Sequence, residues 1–208
     1  MNRLSLPSPY RSLSVFRDVD TFTQFNPIIK APTLVCDDGE ILMDSTLILA
    51  YLQKLANAQA AENQLDQLPS SDQHPSLMPT ALHQYQKALH LIGLGLNACD
   101  KSVQIVYERE LRPAEKQHQP WFTRVQSHLL AAYDLIEAEI ANESGWLVYS
   151  HLTDADITIS VAWQFTQYII PDVVSSHRYP AISAFSARAE ALSEFTANPM
   201  DPNWQAKT

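Results

Sequence analysis

From Leu82 to Val106 apolar residues recur at intervals of three and four in unbroken alternation: Leu82, Tyr85, Leu89, Ile92, Leu96, Cys99, Val103 and Val106. A β-strand, with its period of two, cannot use that spacing. It is the a/d seam of an α-helix more than three heptads long, and it predicts packing against other helices. Gly93 and Gly95 lie inside the helix. Each costs about 1 kcal/mol against alanine, a loss that makes sense where a helix or a ligand must come close. Arg112-Pro113 should end the helix, because the residue before proline avoids the helical region. Phe122, Val125, Leu129, Ala132 and Ile136 mark a second helix, ending before Gly145. Ile157 to Ile170 marks a third, stopped by Pro171, and Ile182, Phe185, Ala189 and Leu192 mark a fourth. Residues 78–208 therefore read as one all-helical domain.

The stretch before that domain has a different grammar. Residues 57–79 are rich in Gln, Asn, Asp, Ser and Pro without an apolar period, as expected of a surface linker. The boundaries read as 1–59 for a small mixed domain, 60–77 for the linker and 78–208 for the helices. Within the first domain, Arg11 to Arg17 is a candidate strand with Leu13 and Val15 on one face. Asp18 to Phe25 is a candidate short helix, capped by Asp18 or Asp20. Thr33-Leu34-Val35-Cys36 and Ile41-Leu42-Met43 flank Asp37-Asp38-Gly39-Glu40, and Asp-Gly is a strong hairpin signal because both positions tolerate positive φ. Ser45 to Leu55 then reads as an amphipathic helix presenting Leu47, Ile48, Tyr51 and Leu52 to the sheet.

Composition narrows the function classes. At 208 residues, 46% hydrophobic and 18% charged, the chain is globular rather than disordered. A formal charge of −9 opposes binding to a phosphate backbone, so nucleic acid is not an expected partner. Two cysteines, Cys36 and Cys99, form no CxxC and suit a reducing compartment; both read as small core residues. No apolar run approaches the roughly 18 residues of a membrane span, and the first residues are too short and polar for a secretory signal, so a cytoplasmic protein is expected. The seven histidines show no HxxxH or HExxH spacing, and no metal site is expected. His83 and His90 share a helix face and read as structural.

One local motif is unusually complete. In Leu152-Thr153-Asp154-Ala155-Asp156-Ile157, Thr153 stands at a helix cap with Asp156 three residues on. The two can exchange side-chain-to-backbone hydrogen bonds, and Leu152 with Ile157 can form a hydrophobic staple. By itself this is a folding device. Together with Asn26-Pro27, Ala31-Pro32-Thr33-Leu34, Asp38-Gly39 and the run Leu42-Met43-Asp44-Ser45-Thr46-Leu47-Ile48-Leu49-Ala50-Tyr51-Leu52, it follows a known pattern in order and spacing. Over roughly residues 10 to 200 the chain resembles the soluble glutathione S-transferases.

The resemblance implies a thioredoxin-like N-terminal domain, truncated at its start, followed by an all-helical C-terminal domain. It implies that Pro32 is cis, so that the amide and carbonyl of Ala31 pair with the cysteinyl part of glutathione as a short antiparallel strand. Lys30 would meet the glycine carboxylate. Ser45, at the amino end of a helix, would take the γ-glutamyl carboxylate and Asp44 its ammonium, although Asp and Ser are also ordinary cap residues. The family more often has Glu or Gln where Asp44 stands. The family's activating Ser, Tyr or Cys lies about forty positions before the Asn-Pro motif, and only 25 residues precede Asn26. Either Ser8-Pro9-Tyr10-Arg11 is the activating turn with a strand and helix deleted after it, or Tyr10 to Phe16 is the family's second strand and the first strand is missing. The second alignment preserves every spacing and leaves the catalytic residue unassigned. It also leaves Arg11–Arg17 to pair directly with Thr33–Cys36. Tyr107, Trp121 and Trp163 are candidates for a pocket binding a small hydrophobic electrophile, with core packing as the plainer role, and Asp100 is a candidate for reaching a partner subunit's site. The expected activity is transfer of the glutathione thiol to an electrophile by a homodimer, weak or absent in this chain; the alternative is a non-catalytic interaction or regulatory module on the same fold.

Overall fold

A computed structural model describes Leu6, residues 9–64 and residues 76–200. The chain forms two compact units, the first running through residue 75 and the second from Ser76. Residues 65–75 of the expected linker, and Ser8, lie outside the described residues.

Among its described residues the first unit holds two helices and one hairpin. Arg11–Arg17 is not a strand. The Ser14 amide donates to the Asp18 carboxylate at 2.7 Å, and the Ser14 hydroxyl accepts from the amides of Phe16 and Arg17 at 3.2 Å. Side chains that bond nearby backbone in this way hold it in a turn rather than an extended conformation. Helix α1 is then only Val19–Thr23, and the Asp18 carboxylate, engaged upstream, makes no cap bond to it. Strands β1 (Thr33–Val35) and β2 (Ile41–Met43) pair antiparallel, with Thr33 opposite Met43, Leu34 opposite Leu42 and Val35 opposite Ile41. The connecting turn closes through the Cys36 amide on the Glu40 carbonyl at 2.9 Å, and Gly39 takes a φ of 88° that a side chain would resist. Helix α2 runs Ser45–Gln64, past the expected linker start at residue 60. It buries Ile48 and Leu52, one turn apart, whereas Leu47 and Tyr51 face outward.

Among its described residues the second unit is helical, with its core between α3 (Leu82–Val106), α4 (Gln119–Ala141), α5 (Asp154–Ile169) and α6 (Pro180–Glu190), followed by α7 (Ser193–Thr196). Helix α3 buries Ala88, Leu91, Gly95, Ala98, Ser102 and Ile105. These also alternate by three and four, but they are not the large-residue seam. Leu82, Tyr85, Leu89 and Leu96 of that seam are exposed, Leu82 by 82%. The expected seam thus turns outward at Leu82, Tyr85, Leu89 and Leu96, while Ile92 packs against the core and Val106 belongs to it. The inner seam carries small residues at Ala88, Gly95, Ala98 and Ser102 beside Leu91 and Ile105, and α5 comes so close that a β-carbon on Gly95 would stand 2.9 Å from Thr158 Cγ2. Gly93 meets nothing within 4 Å.

Two polar devices register the helices. Deep in the core the Tyr133 hydroxyl of α4 donates to Thr166 Oγ1 of α5 at 2.6 Å, and Ser102 Oγ of α3 lies 2.8 Å from the same oxygen. Where α3 ends, Tyr107–Leu111 forms a π-helical turn before extended Arg112 and Pro113. That turn carries Glu108 inward, where it is 4% exposed. One carboxylate oxygen accepts the His118 amide at the start of α4 at 2.6 Å, and the other meets Arg112 Nε at 3.0 Å. Among the described residues no helix is long and apolar enough to cross a membrane, and no cluster of three His, Cys, Asp or Glu is placed to hold a metal.

Candidate functional site

The hairpin register brings the two predicted groups of site residues to one place. Because Thr33 faces Met43, the residues just before β1 and just after β2, Pro32 and Asp44, leave the same end of the ribbon. On one side Lys30, Ala31 and Pro32 are all exposed, and the Ala31–Pro32 peptide is cis. On the other side Asp44 has a φ of 78° and is followed by Ser45, the first residue of α2.

Asp44 is a helix cap by geometry: its Oδ1 accepts the Thr46 amide at 3.0 Å. Its Oδ2 has no hydrogen bond among the described residues and remains available to a cation. Both Asp44 and Ser45 are half-buried, so neither the carboxylate nor the hydroxyl is fully screened by water. They stand at the amino end of a 20-residue helix, where unpaired amides and the helix dipole favour an anion.

The loop that presents Lys30 and Ala31 is built around a residue whose role the sequence did not reveal. Asn26 is 1% exposed. Its backbone amide donates to the Phe22 carbonyl at 2.9 Å, and its carbonyl accepts the Ile29 amide at 3.0 Å. Its side-chain oxygen accepts the Ile28 amide at 3.0 Å, and Nδ2 donates to Thr33 Oγ1 at 2.9 Å. Thr33 Oγ1 in turn donates to the Lys30 carbonyl at 2.6 Å. Ile29, between these anchors, sits at φ 56°, a left-handed conformation that is a genuine outlier for a β-branched residue. An Asn-Pro pair signals a loop; a fully satisfied buried amide does not show in its spacing.

Tyr10 is 87% exposed. Trp163 belongs to the core, its ring edge-on to Tyr133 at 5.3 Å, whereas Tyr107 and Trp121 are exposed. His83 and His90 are exposed on α3. Asp100 accepts from Lys101 Nζ and from Gln104 Nε2, each at 2.8 Å. Cys36 and Cys99 are unpaired and half-buried, and burial followed by the Asp100 charge pushes the Cys99 thiol up to about 11. The Thr153–Asp156 capping box is formed. Asp156 also accepts the Leu147 amide at 2.8 Å, so it pins the preceding loop as well as α5.

Comparison with known proteins places these observations in a family. Residues 1–60 match the model of the glutathione S-transferase N-terminal domain, and residues 119–188 match that of the glutathione S-transferase C-terminal domain. No curated protein sequence matches the chain. Among solved structures, a glutathione S-transferase from Methylobacterium radiotolerans, in complex with glutathione sulfonate, superposes with a TM-score of 0.82 at 21% identity, covering 100% of this chain and 90% of that one. A glutathione transferase family member from Pseudomonas fluorescens with bound glutathione gives 0.72 at 25% identity, covering 92% and 83%. A glutathione S-transferase from Methylobacillus flagellatus with glutathione bound gives 0.77 at 17% identity, covering 94% and 88%.

Proposed function

Because the chain belongs to the glutathione S-transferase family, with a thioredoxin-like domain followed by an all-helical one, we propose that it binds glutathione at the open end of the β1–β2 hairpin. The observation that carries this reading is the register placing Ala31-Pro32 beside Asp44-Ser45. Ala31, exposed next to the strand end, offers its amide and carbonyl to the cysteinyl backbone in the manner of an added strand. Lys30 takes the glycine carboxylate. The amide and hydroxyl of Ser45 take the γ-glutamyl carboxylate at the head of α2, and Asp44 Oδ2 takes the γ-glutamyl ammonium. The bound thiol, as thiolate, forms a C–S bond to a small hydrophobic electrophile, which releases its leaving group or takes a proton. No residue is assigned to activating the thiol.

The protein acts as a homodimer in this reading. Support comes from the outer seam of α3, where Tyr85, Leu89 and Leu96 are exposed over three turns on one face. Two unpaired cysteines support a reducing compartment, the cytoplasm.

Isothermal titration with glutathione tests the proposal. Wild type should bind, and Ser45→Ala should weaken binding by about tenfold, roughly 1.4 kcal/mol, with unchanged helix content. A folded wild type that does not bind ends the reading. Binding without consumption of an electrophilic arene would instead favour the non-catalytic module.

A further inference from the structure

We infer that Asn26, acting through Thr33, is the positioning residue that orients the Ala31 amide and ties the two halves of the site together. The inference rests on the glutathione-binding reading above and adds to it two residues that touch no ligand.

The argument starts from the planarity of one peptide group. The carbonyl of Lys30 and the amide N–H of Ala31 belong to the same trans peptide plane, so they point in opposite directions. The Thr33 hydroxyl holds the Lys30 carbonyl from the protein side at 2.6 Å. The Ala31 N–H is thereby turned away from the protein, on an exposed residue. Thr33 can hold that position because its own oxygen accepts Asn26 Nδ2 at 2.9 Å. The relay Asn26 Nδ2 to Thr33 Oγ1 to the Lys30 carbonyl fixes the direction of the donor a ligand would meet.

Asn26 also reaches the other half. Nδ2 lies 3.9 Å from the sulfur of Met43, the residue immediately before left-handed Asp44. The side-chain oxygen and the main-chain carbonyl of Asn26 hold the amides of Ile28 and Ile29, so the left-handed turn at Ile29 is anchored by the same residue. One buried amide therefore touches the loop before β1, β1 itself and the end of β2. Strained residues persist only where the surroundings over-determine them, and Asn26 stands between both strained residues of the site.

A purely structural asparagine would show in stability and leave affinity untouched, so affinity is the readout. Thr33→Val keeps the shape and strand preference of the side chain but cannot donate. It should weaken glutathione binding by about tenfold in titration calorimetry, whereas Thr33→Ser, which restores the hydroxyl, should bind within about threefold of wild type. Asn26→Ala should weaken binding at least as much, and Asn26→Ala with Thr33→Val no more than the stronger single variant, because both break one relay. Ile48→Val, a core substitution in α2, supplies a variant of lowered stability with unchanged affinity. If Thr33→Val binds as wild type does, or Thr33→Ser is as weak as Thr33→Val, the positioning role is overturned while glutathione binding stands. If wild type itself fails to bind, both fall.

Discussion

Thr158 lies so close beneath Gly95 that a β-carbon there would stand 2.9 Å from its Cγ2 and 3.4 Å from its carbonyl oxygen. The distance between α3 and α5 is set at this point. Two residues earlier on the same helix, Gly93 has open space around it. One substitution at the two glycines should therefore act in opposite directions. Gly93→Ala should stabilise by about 1 kcal/mol, the difference in helix propensity. At Gly95 the overpacking cost of about 1–3 kcal/mol should outweigh that gain, leaving Gly95→Ala about 1 kcal/mol less stable than wild type. Urea unfolding followed by circular dichroism measures both, and shifts of the same sign would rule the argument out.

The thiol of Cys99, pushed up to about 11 by burial and then by Asp100, should be inert in the native protein. At pH 8 a group with that pKa is ionised in about one molecule in a thousand, and only the thiolate reacts. At pH 8 iodoacetamide should therefore modify Cys36 well before Cys99. Because the raised pKa lies above the working range, Cys99 labelling should rise about tenfold per pH unit as pH increases toward 11. Equal labelling of both cysteines at pH 8, read by peptide mass spectrometry, would contradict this.

The outer seam of α3 makes the homodimer testable without touching the hairpin. Leu89 and Leu96 are 47% and 37% exposed within the chain, so a charge at either should leave the monomer's fold intact. Leu89→Lys and Leu96→Lys should sediment as monomers with wild-type helix content, whereas the unmodified protein should sediment as a dimer. A monomeric wild type at micromolar concentration would end the dimer reading.

Much of this architecture is legible in the sequence where the signal is local. The Asp38-Gly39 turn, the Thr153–Asp156 box and the stop at Arg112-Pro113 each depend on a few neighbouring residues, and each forms. The strand expected at Arg11–Arg17 depends instead on a partner to hydrogen-bond with, and the Ser14 and Asp18 side chains bind the backbone first. Hydrophobicity favoured the partly exposed seam of α3, because Ala88, Gly95, Ala98 and Ser102, which carry almost none, share the core face with Leu91 and Ile105. At the site the pattern named Lys30, Ala31, Pro32, Asp44 and Ser45, which the hairpin register brings to one end of the ribbon. It missed the Asn26–Thr33 relay behind them, because a buried polar side chain is recognisable only once its hydrogen-bond partners are in place.

Synthesis imposes an order on these contacts. Gly95 leaves the ribosome roughly sixty residues before Thr158, the residue that covers it. At about 5–20 residues per second, Gly95 waits roughly 3–12 s for that cover. Helix α4 arrives first and shelters part of the inner seam, whereas Leu82, Tyr85, Leu89 and Leu96 remain exposed. These Leu and Tyr residues would stay sticky until synthesis is complete. The helix whose repeat dominates the sequence is then also a segment open to premature association while the chain is being made.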